Sequence, residues 1–306
     1  MKDRYKSPGA LESAIRSKAG EVAKRTGRSP GDLVTGFYFQ RLLARVFLDD
    51  GAWMLKGGQS LLMRYPGRAR LSRDVDLFLP DTDDIAEALA ALDRALARDL
   101  GDFFRFERAA TGVDGANAQV KINTWIGSSA KTALNVDLVV CRTPTGVPTA
   151  QPMQPEIPID WPDTWPELQL YPLCDHVADK ICAMYERHLR VGRDPVASTR
   201  HRDLGDLLLI SQSSEVIGAE VQAALRSEVP RRRALGTVEL TLPSQFEVPD
   251  RAAWLVGYPK AAKEITGLKG CRTLDEASAA AEEFISPLLS STDPGIWDPR
   301  QGAWKA

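Results

Sequence analysis

Two carboxylates alternate with apolar residues in Ser72-Arg73-Asp74-Val75-Asp76-Leu77. At the period-two geometry of a strand, Asp74 and Asp76 face one way while Val75 and Leu77 face the core. Carboxylates one pleat apart repel each other unless a cation sits between them. Oxygen donors of this kind suit Mg²⁺, with Mn²⁺ as its substitute, and two such ions about 4 Å apart serve phosphoryl and nucleotidyl transfer. Asp-x-Asp alone is also the signature of a solvated strand end. Here it follows Lys56-Gly57-Gly58-Gln59-Ser60, where a strand runs into two glycines and then a helix-forming run to Met63. Paired glycines let the backbone approach a bulky anion, and the N–H groups of a helix start point at it. Gly57, Gly58 and Ser60 are therefore candidates to hold a triphosphate.

Further along, Asp137 interrupts the apolar run Leu134-Asn135-Val136-Asp137-Leu138-Val139-Val140. A buried carboxylate on a central strand is costly unless paired or bound to metal. Asp137 is a third metal ligand, the base that takes a proton from an attacking hydroxyl, or a carboxylate satisfied by an arginine or by backbone N–H groups. Lys180 lies three residues after Val177 and four before Met184, on the inward side of a helix striped by Val177, Ile181, Met184 and Tyr185. Asp203 and Asp206 border the stripe of the next helix. An inward lysine needs an anionic partner, and an ion pair with Asp203 is one account of it.

The glycine pair followed by Arg70-x-Ser72-x-Asp74-x-Asp76-Leu77 resembles the nucleotidyltransferase core of the AbiEii / MenT toxin family, within the polymerase-β-like superfamily. Lys180, preceded by Asp175-His176-Val177-Ala178-Asp179, and Arg202-Asp203-Leu204-Gly205-Asp206-Leu207 fit the family's later motifs, so the match spans roughly residues 50–210. Two departures are visible: Gly205 stands where a larger residue is expected, and the Gly58-to-Asp74 connection is long. The resemblance implies a metal-dependent enzyme that moves nucleotides from an NTP to the 3′ end of tRNA, bound in a cleft between two domains, and so blocks translation. It implies a separately encoded antitoxin. Asp74, Asp76, Asp137, Lys180 and Asp203 become the catalytic set, the first three holding Mg²⁺, with Asp206 a structural companion. Gly57, Gly58, Ser60, Arg70, Ser72 and Lys180 become the nucleotide-binding set. Ser72, two residues before the first metal aspartate, becomes a candidate phosphosite, since a phosphate there adds about two negative charges beside Asp74.

The elements that must position these residues are read from periodicity. Two helices, 8–27 and 30–49, follow the Ser7-Pro8 and Ser29-Pro30 pairs; this pair, residues 1–50, is expected to pack on the core without chemistry of its own. The core, 51–150, is expected to run strand 52–56, helix 58–65, strand 73–79, helix 83–100 opening after Asp81-Thr82-Asp83, and strands near 103–108, 118–126 and 133–140. This is an α+β mixed sheet with helices on one face. The proline-rich stretch from about 142 to 172 reads as a linker or an edge wrapped on the surface, ending in a short strand, 168–171, with the domain boundary placed inside it at 151–172. A mainly helical domain follows at 173–290, with helices 173–191, 199–213, 214–228, 248–263 and 273–290. The tail 291–306 reads as poorly packed, tacked down by Trp297 and Trp304.

The 306 residues suffice for a sizeable core, and a net charge of −2 gives no global field to recruit nucleic acid. Arginines are instead clustered: Arg64, Arg68, Arg70 and Arg73; Arg187, Arg190, Arg193, Arg200 and Arg202; Arg231, Arg232 and Arg233. They read as solvated faces or as a broken track for a phosphate backbone, with Trp125 and Tyr185 as aromatic residues able to stack on bases. No signal peptide or membrane span is expected. Four scattered cysteines and three histidines support neither a disulfide framework nor a zinc site, so a cytoplasmic protein with reduced thiols is expected. Two other functions fit parts of the pattern: nucleotidyl transfer to a small molecule such as an antibiotic, and a non-catalytic nucleotide-binding module.

Overall fold

Ser7 and Ser29 start the first two helices as their Ser-Pro pairs predict. In α1 (Pro8–Thr26) the Ser7 hydroxyl accepts from the Ala10 N–H at 3.2 Å, and in α2 (Pro30–Val46) Ser29 accepts from Asp32 at 3.4 Å. Each proline sits in the first turn, where a missing N–H costs nothing. The computed structural model describes residues 5–48, 53–80, 82–159, 165–190 and 192–305. The expected starts and ends at 49, 52, 81 and 191 lie outside them.

Helix α2 is pinned by charge as well as by its apolar stripe. Arg41 and Arg45, both nearly inaccessible, converge on the buried Asp102 carboxylate at 2.5 and 2.6 Å. Burial pushes Asp102 toward its neutral form, but the two guanidiniums outweigh this and hold it below the usual carboxylate range. Breaking such a knot from one side leaves an uncompensated buried charge.

The strands form an eight-stranded mixed sheet. They are β1 (Met54–Lys56), β2 (Val75–Phe78), β3 (Phe104–Asp114), β4 (Asn117–Ile126), β5 (Ser129–Ala130), β6 (Leu134–Val139), β7 (Thr149–Pro152) and β8 (Glu167–Leu170). Their order is β3-β4-β6-β2-β1-β8-β7, with β5 paired to β4. Strands β2 and β6, and β1 and β8, run parallel; the other pairs are antiparallel. Val75, Leu77, Val120, Ile122, Val136 and Leu138 form one buried face, and α4 (Ile85–Leu96), capped by the Asp84 carboxylate, packs on β3 and β6. Helix α3 (Gly57–Arg64) joins β1 to the chain that returns as β2.

Chain contacts divide the molecule into two compact units. The first comprises Met1–Pro66, Leu71–Thr143 and Pro148–Leu170; the second comprises Gly67–Arg70, Pro144–Val147 and Tyr171–Ala306. Of the two readings of the proline-rich stretch, the sheet edge is the one formed where β7 and β8 lie. The stretch supplies β7 and β8 to the first unit's sheet, where Pro152 is tolerated because β7 is an edge strand.

The second unit contains α5 (Leu173–Tyr185), β9 (Glu186–Arg190), β10 (Arg193–Ala197), α6 (His201–Ser211), β11 (Val216–Ile217), α7 (Gly218–Ala234), β12 (Val238–Leu240), α8 (Arg251–Glu264), α9 (Leu274–Leu289), β13 (Ile296–Asp298) and β14 (Ala303–Lys305). The helix expected over 173–191 stops at Tyr185. Glu186 to Arg190 pair with β10 and β12 instead, an outcome set by distant partners such as Val238 opposite His188. The tail is also ordered. Strand β13 joins β11 and β14, Trp297 donates to the Ser211 carbonyl at 2.7 Å, and its ring lies 4.9 Å from that of Phe284.

Candidate functional site

In the first unit the pairing register brings two of the expected residues, Asp76 and Asp137, into line. Lys56 on β1 is opposite Asp76 on β2, Asp76 is opposite Asp137 on β6, and Asp137 is opposite Gln119 on β4. These four residues form a row across neighbouring strands, and alternation puts their side chains on the face away from Leu77 and Leu138. The strand expected from residue 73 begins only at Val75, so Asp74 lies in the bend before β2 and alternation does not set its direction. Strands about 4.8 Å apart place Asp76 and Asp137 side by side. Two unit charges at that spacing repel by on the order of 3 kcal/mol at an effective dielectric near 20. Lys56, mostly buried and in the same row, is the cation that the sequence reading passed over. It had a signal: a lysine at the end of an apolar strand, immediately before the glycines.

The glycine turn belongs to this row. Gly57 has φ +59°, the left-handed region, and a Cβ added there would lie 1.7 Å from Asp76 Oδ2. Only glycine admits both the backbone conformation and the carboxylate. Helix α3 begins at that residue, so its free N–H groups start beside Asp76. In its first turn Gln59 and Ser60 are fully buried, and neither the Gln59 amide nor the Ser60 hydroxyl has a hydrogen-bond partner among the described residues. Buried polar groups left in this state cost about 1–3 kcal/mol each; a phosphate oxygen at the helix start could accept from the Gln59 Nε2 and Ser60 hydroxyl donors but not satisfy Gln59 Oε1. Ser72, 8% exposed, donates its hydroxyl to Asp74 Oδ1 at 2.7 Å and so orients that carboxylate.

Among the described residues no three His, Cys, Asp or Glu side chains come close enough to hold an ion unaided. The donor set fits Mg²⁺ nonetheless, because that ion is usually held by one or two carboxylates with substrate phosphates and water completing its shell. Asp76 and Asp137 are the pair so placed; the expected third ligand, Asp74, lies in the bend before β2 and does not complete a three-carboxylate group with them.

The second unit carries its own polar cluster. Lys180 of α5, buried as its helical position predicts, donates to Asp203 Oδ1 and Asp206 Oδ2 of α6, both at 2.7 Å. Arg70 completes it with two hydrogen bonds to Asp206, at 3.2 and 3.0 Å. Burial alone would lower the lysine's pKa, but Asp203 and then Asp206 outweigh it and hold Lys180 above its ordinary value. Burial would likewise raise Asp206, and Lys180 and Arg70 together keep it below the usual range. Asp206 is therefore the hub of the cluster. Asp203 Oδ2 accepts no hydrogen bond among the described residues, although Arg200 lies 3.8 Å away. Gly205, the departure noted in the motif, has a packing reason: a Cβ there would stand 2.6 Å from Ile265 Cδ1.

Other expected roles do not fit. Tyr185 is buried with its hydroxyl donating to the Glu247 carbonyl at 3.1 Å, so it offers no stacking face. Arg232 is bound within the unit by Asp179, Glu186 and Glu228, and Arg231 pairs with Glu228 at 2.6 Å. That arginine run is an internal brace, not a phosphate track. Asp175, an unremarked part of the lysine motif, accepts from the Thr145 and Gly146 N–H groups and fixes the loop before β7. Among the described residues no helix is long and apolar enough to cross a membrane.

No curated protein matches the sequence. Among solved structures, MenT4, a nucleotidyltransferase toxin from Mycobacterium tuberculosis H37Rv, is similar with a TM-score of 0.52 at 19% identity; the match covers 89% of this chain and 99% of that one. At that identity the likeness establishes a shared α+β fold. Residues 41–280 match the family model described as nucleotidyl transferase AbiEii toxin, type IV toxin–antitoxin system, and this span includes the glycine turn, the carboxylate row and the Lys180 cluster. The chain belongs to the AbiEii family of nucleotidyltransferase toxins.

Proposed function

We propose that the protein transfers nucleotides from an NTP to the 3′ end of tRNA, and that it acts in the cytoplasm under the control of a cognate antitoxin. The observation that carries the reading is the row Lys56–Asp76–Asp137, with Gly57 packed against the Asp76 carboxylate. A divalent cation bound there would polarise the α-phosphate and offset its charge.

This chain's own residues supply the rest. Gly57, Gly58 and Ser60 at the start of α3 hold the triphosphate. Asp74 and Asp76, with Asp137, provide the oxygen ligands, and Ser72 orients Asp74. The acceptor hydroxyl attacks the α-phosphate; the new O–P bond forms as the bond to pyrophosphate breaks, and the hydroxyl proton passes to Asp137. Lys180 offers positive charge to the phosphates, with Asp203 and Asp206 fixing its position. Arg70 acts in this reading by holding Asp206. Its guanidinium is engaged there, as the Lys180 ammonium is by Asp203 and Asp206.

The test is incubation of purified protein with total tRNA, Mg²⁺ and each labelled NTP in turn. Label entering RNA, with one pyrophosphate released per nucleotide, is the expected result. Label entering only a small acceptor would replace tRNA with an antibiotic-type substrate. Growth arrest by an Asp76→Ala protein as strong as wild type would favour a non-catalytic binding module.

A further inference from the structure

The polar face of the first unit's sheet continues beyond the carboxylates. Gln119, level with Asp137, is opposite Gly112 on β3; the adjacent row runs Asn135, Lys121, Ala110; further rows bring Asn123 opposite Glu107 and Trp125 opposite Arg105. Gln119, Lys121 and Asn135 are exposed, while the intervening Ala118, Val120 and Val136 are buried on the other face. A bulge between Arg108 and Ala110 shifts β3 by one residue. Arg108 consequently joins the α4 side, where it pairs with Asp93 at 2.5 Å, and the small Ala110 and Gly112 border the polar face. The result is a trough of about 570 Å³, lined in part by Arg73, Asp74, Lys121, Asn135 and Asp137 and thus continuous with the carboxylates. Beyond the trough's lining, at the far end of β4, half-buried Trp125 carries the Arg105 guanidinium over its ring, 4.1 Å from the centroid.

We infer that this trough binds the unpaired 3′ end of the RNA acceptor, with Lys121 on a backbone phosphate and Trp125 against a base; the inference rests on the nucleotidyl-transfer reading above. In-line displacement brings the attacking hydroxyl in opposite the departing pyrophosphate. The glycine turn adjoins Asp76 from the β1 side, and the trough adjoins Asp137 from the β4 side. The triphosphate tail and the acceptor therefore take opposite flanks of the carboxylate pair. From Gln119 to Trp125 is six residues of strand, about 20 Å, a length that suits a few nucleotides better than one small acceptor. A basic side chain along the path and an arginine-capped indole beyond it offer a backbone contact and a stacking plane of the kind single strands bind.

The experiment titrates a fluorescent RNA hairpin with a short unpaired 3′ overhang, and the same hairpin blunt-ended, at several salt concentrations. Wild type is expected to prefer the overhang by about tenfold or more. Lys121→Gln should weaken overhang binding and flatten the slope of log Kd against log salt by about 0.7, one single-strand phosphate contact. Trp125→Ala should weaken it about tenfold with the slope unchanged, and Trp125→Phe should restore most of the loss. Both variants should keep wild-type affinity for Mg²⁺-NTP. Equal affinity of wild type and both variants for the overhang, or no preference over the blunt hairpin, overturns the assignment. A wild-type protein that binds the overhang through these residues yet labels neither it nor total tRNA supports the trough and refutes the transfer reading instead.

Discussion

Replacing Gly57 by alanine should disable the protein out of proportion to its effect on folding. The backbone at φ +59° costs a non-glycine residue about 1–2 kcal/mol. In a unit of this size that corresponds to a fall of roughly 2–8 °C in the thermal midpoint. The added Cβ would also stand 1.7 Å from Asp76 Oδ2, and real Cβ contacts essentially never fall below 3.0 Å, so the carboxylate must retreat by at least 1.3 Å. Displacement of a reacting group by about 1 Å costs on the order of 10²-fold in rate. Gly27→Ala isolates the backbone cost, because Gly27 has φ +73° at the end of α1 with nothing within 4 Å of its Cβ position. The assay is transfer from labelled NTP, with growth arrest on expression as the cellular readout. Gly57→Ala should lose activity about a hundredfold, while Gly27→Ala loses similar stability and no activity. Equal activity of the two variants would refute the claim that Gly57 exists to admit Asp76.

Asp206→Asn removes the anion shared by Lys180 and Arg70, and should destabilise by about 3–5 kcal/mol in denaturant unfolding. Because the folded-state pKa of Asp206 is depressed, its contribution is fully present above the unfolded value near 3.9 and is lost as pH falls through the lower folded one. The gap between wild type and variant should stay constant from neutral pH to about 5 and close below 4; a gap that widens in acid contradicts the ion-pair account. Burial pushes the Cys174 and Cys182 thiols up to about 12. Both should resist iodoacetamide at pH 8 in the folded protein and react on unfolding, as read by mass spectrometry. Ser72→Glu puts a second carboxylate where a hydroxyl now donates to Asp74; it should abolish transfer, whereas Ser72→Ala should only weaken it. An active Ser72→Glu protein would dispose of phosphorylation at this serine as a silencing device.

What the sequence made legible follows from how local each signal is. The Ser-Pro pairs start α1 and α2 because capping and proline at the first turn act within one turn of helix. The inward setting of Lys180 is equally local, and it holds. The line Lys56–Asp76–Asp137–Gln119 depends on strand order and register between segments up to eighty residues apart, which periodicity within one segment does not encode. The same non-locality explains the errors. Glu186-Arg187-His188-Leu189-Arg190 has helical composition, yet pairing with β10 and β12 makes it a strand. Trp297 and Trp304 lie in a stretch rich in proline and glycine, and their order comes from Phe284, whose ring stacks with that of Trp304 at 5.8 Å. Proline density left linker and sheet edge both open at 142–172; an edge strand tolerates proline, and β7 is one.

The central claim is that the aligned carboxylates perform nucleotidyl transfer, and paired isosteric variants test it most directly. Wild type, Asp76→Asn and Asp137→Asn, each confirmed folded by its thermal midpoint, are incubated with Mg²⁺, labelled NTP and total tRNA. The account predicts labelled RNA from wild type and a loss of about a thousandfold or more in both variants, because removing a principal electrostatic group at a transfer site costs on that order. RNA labelled by either variant at the wild-type rate would contradict it.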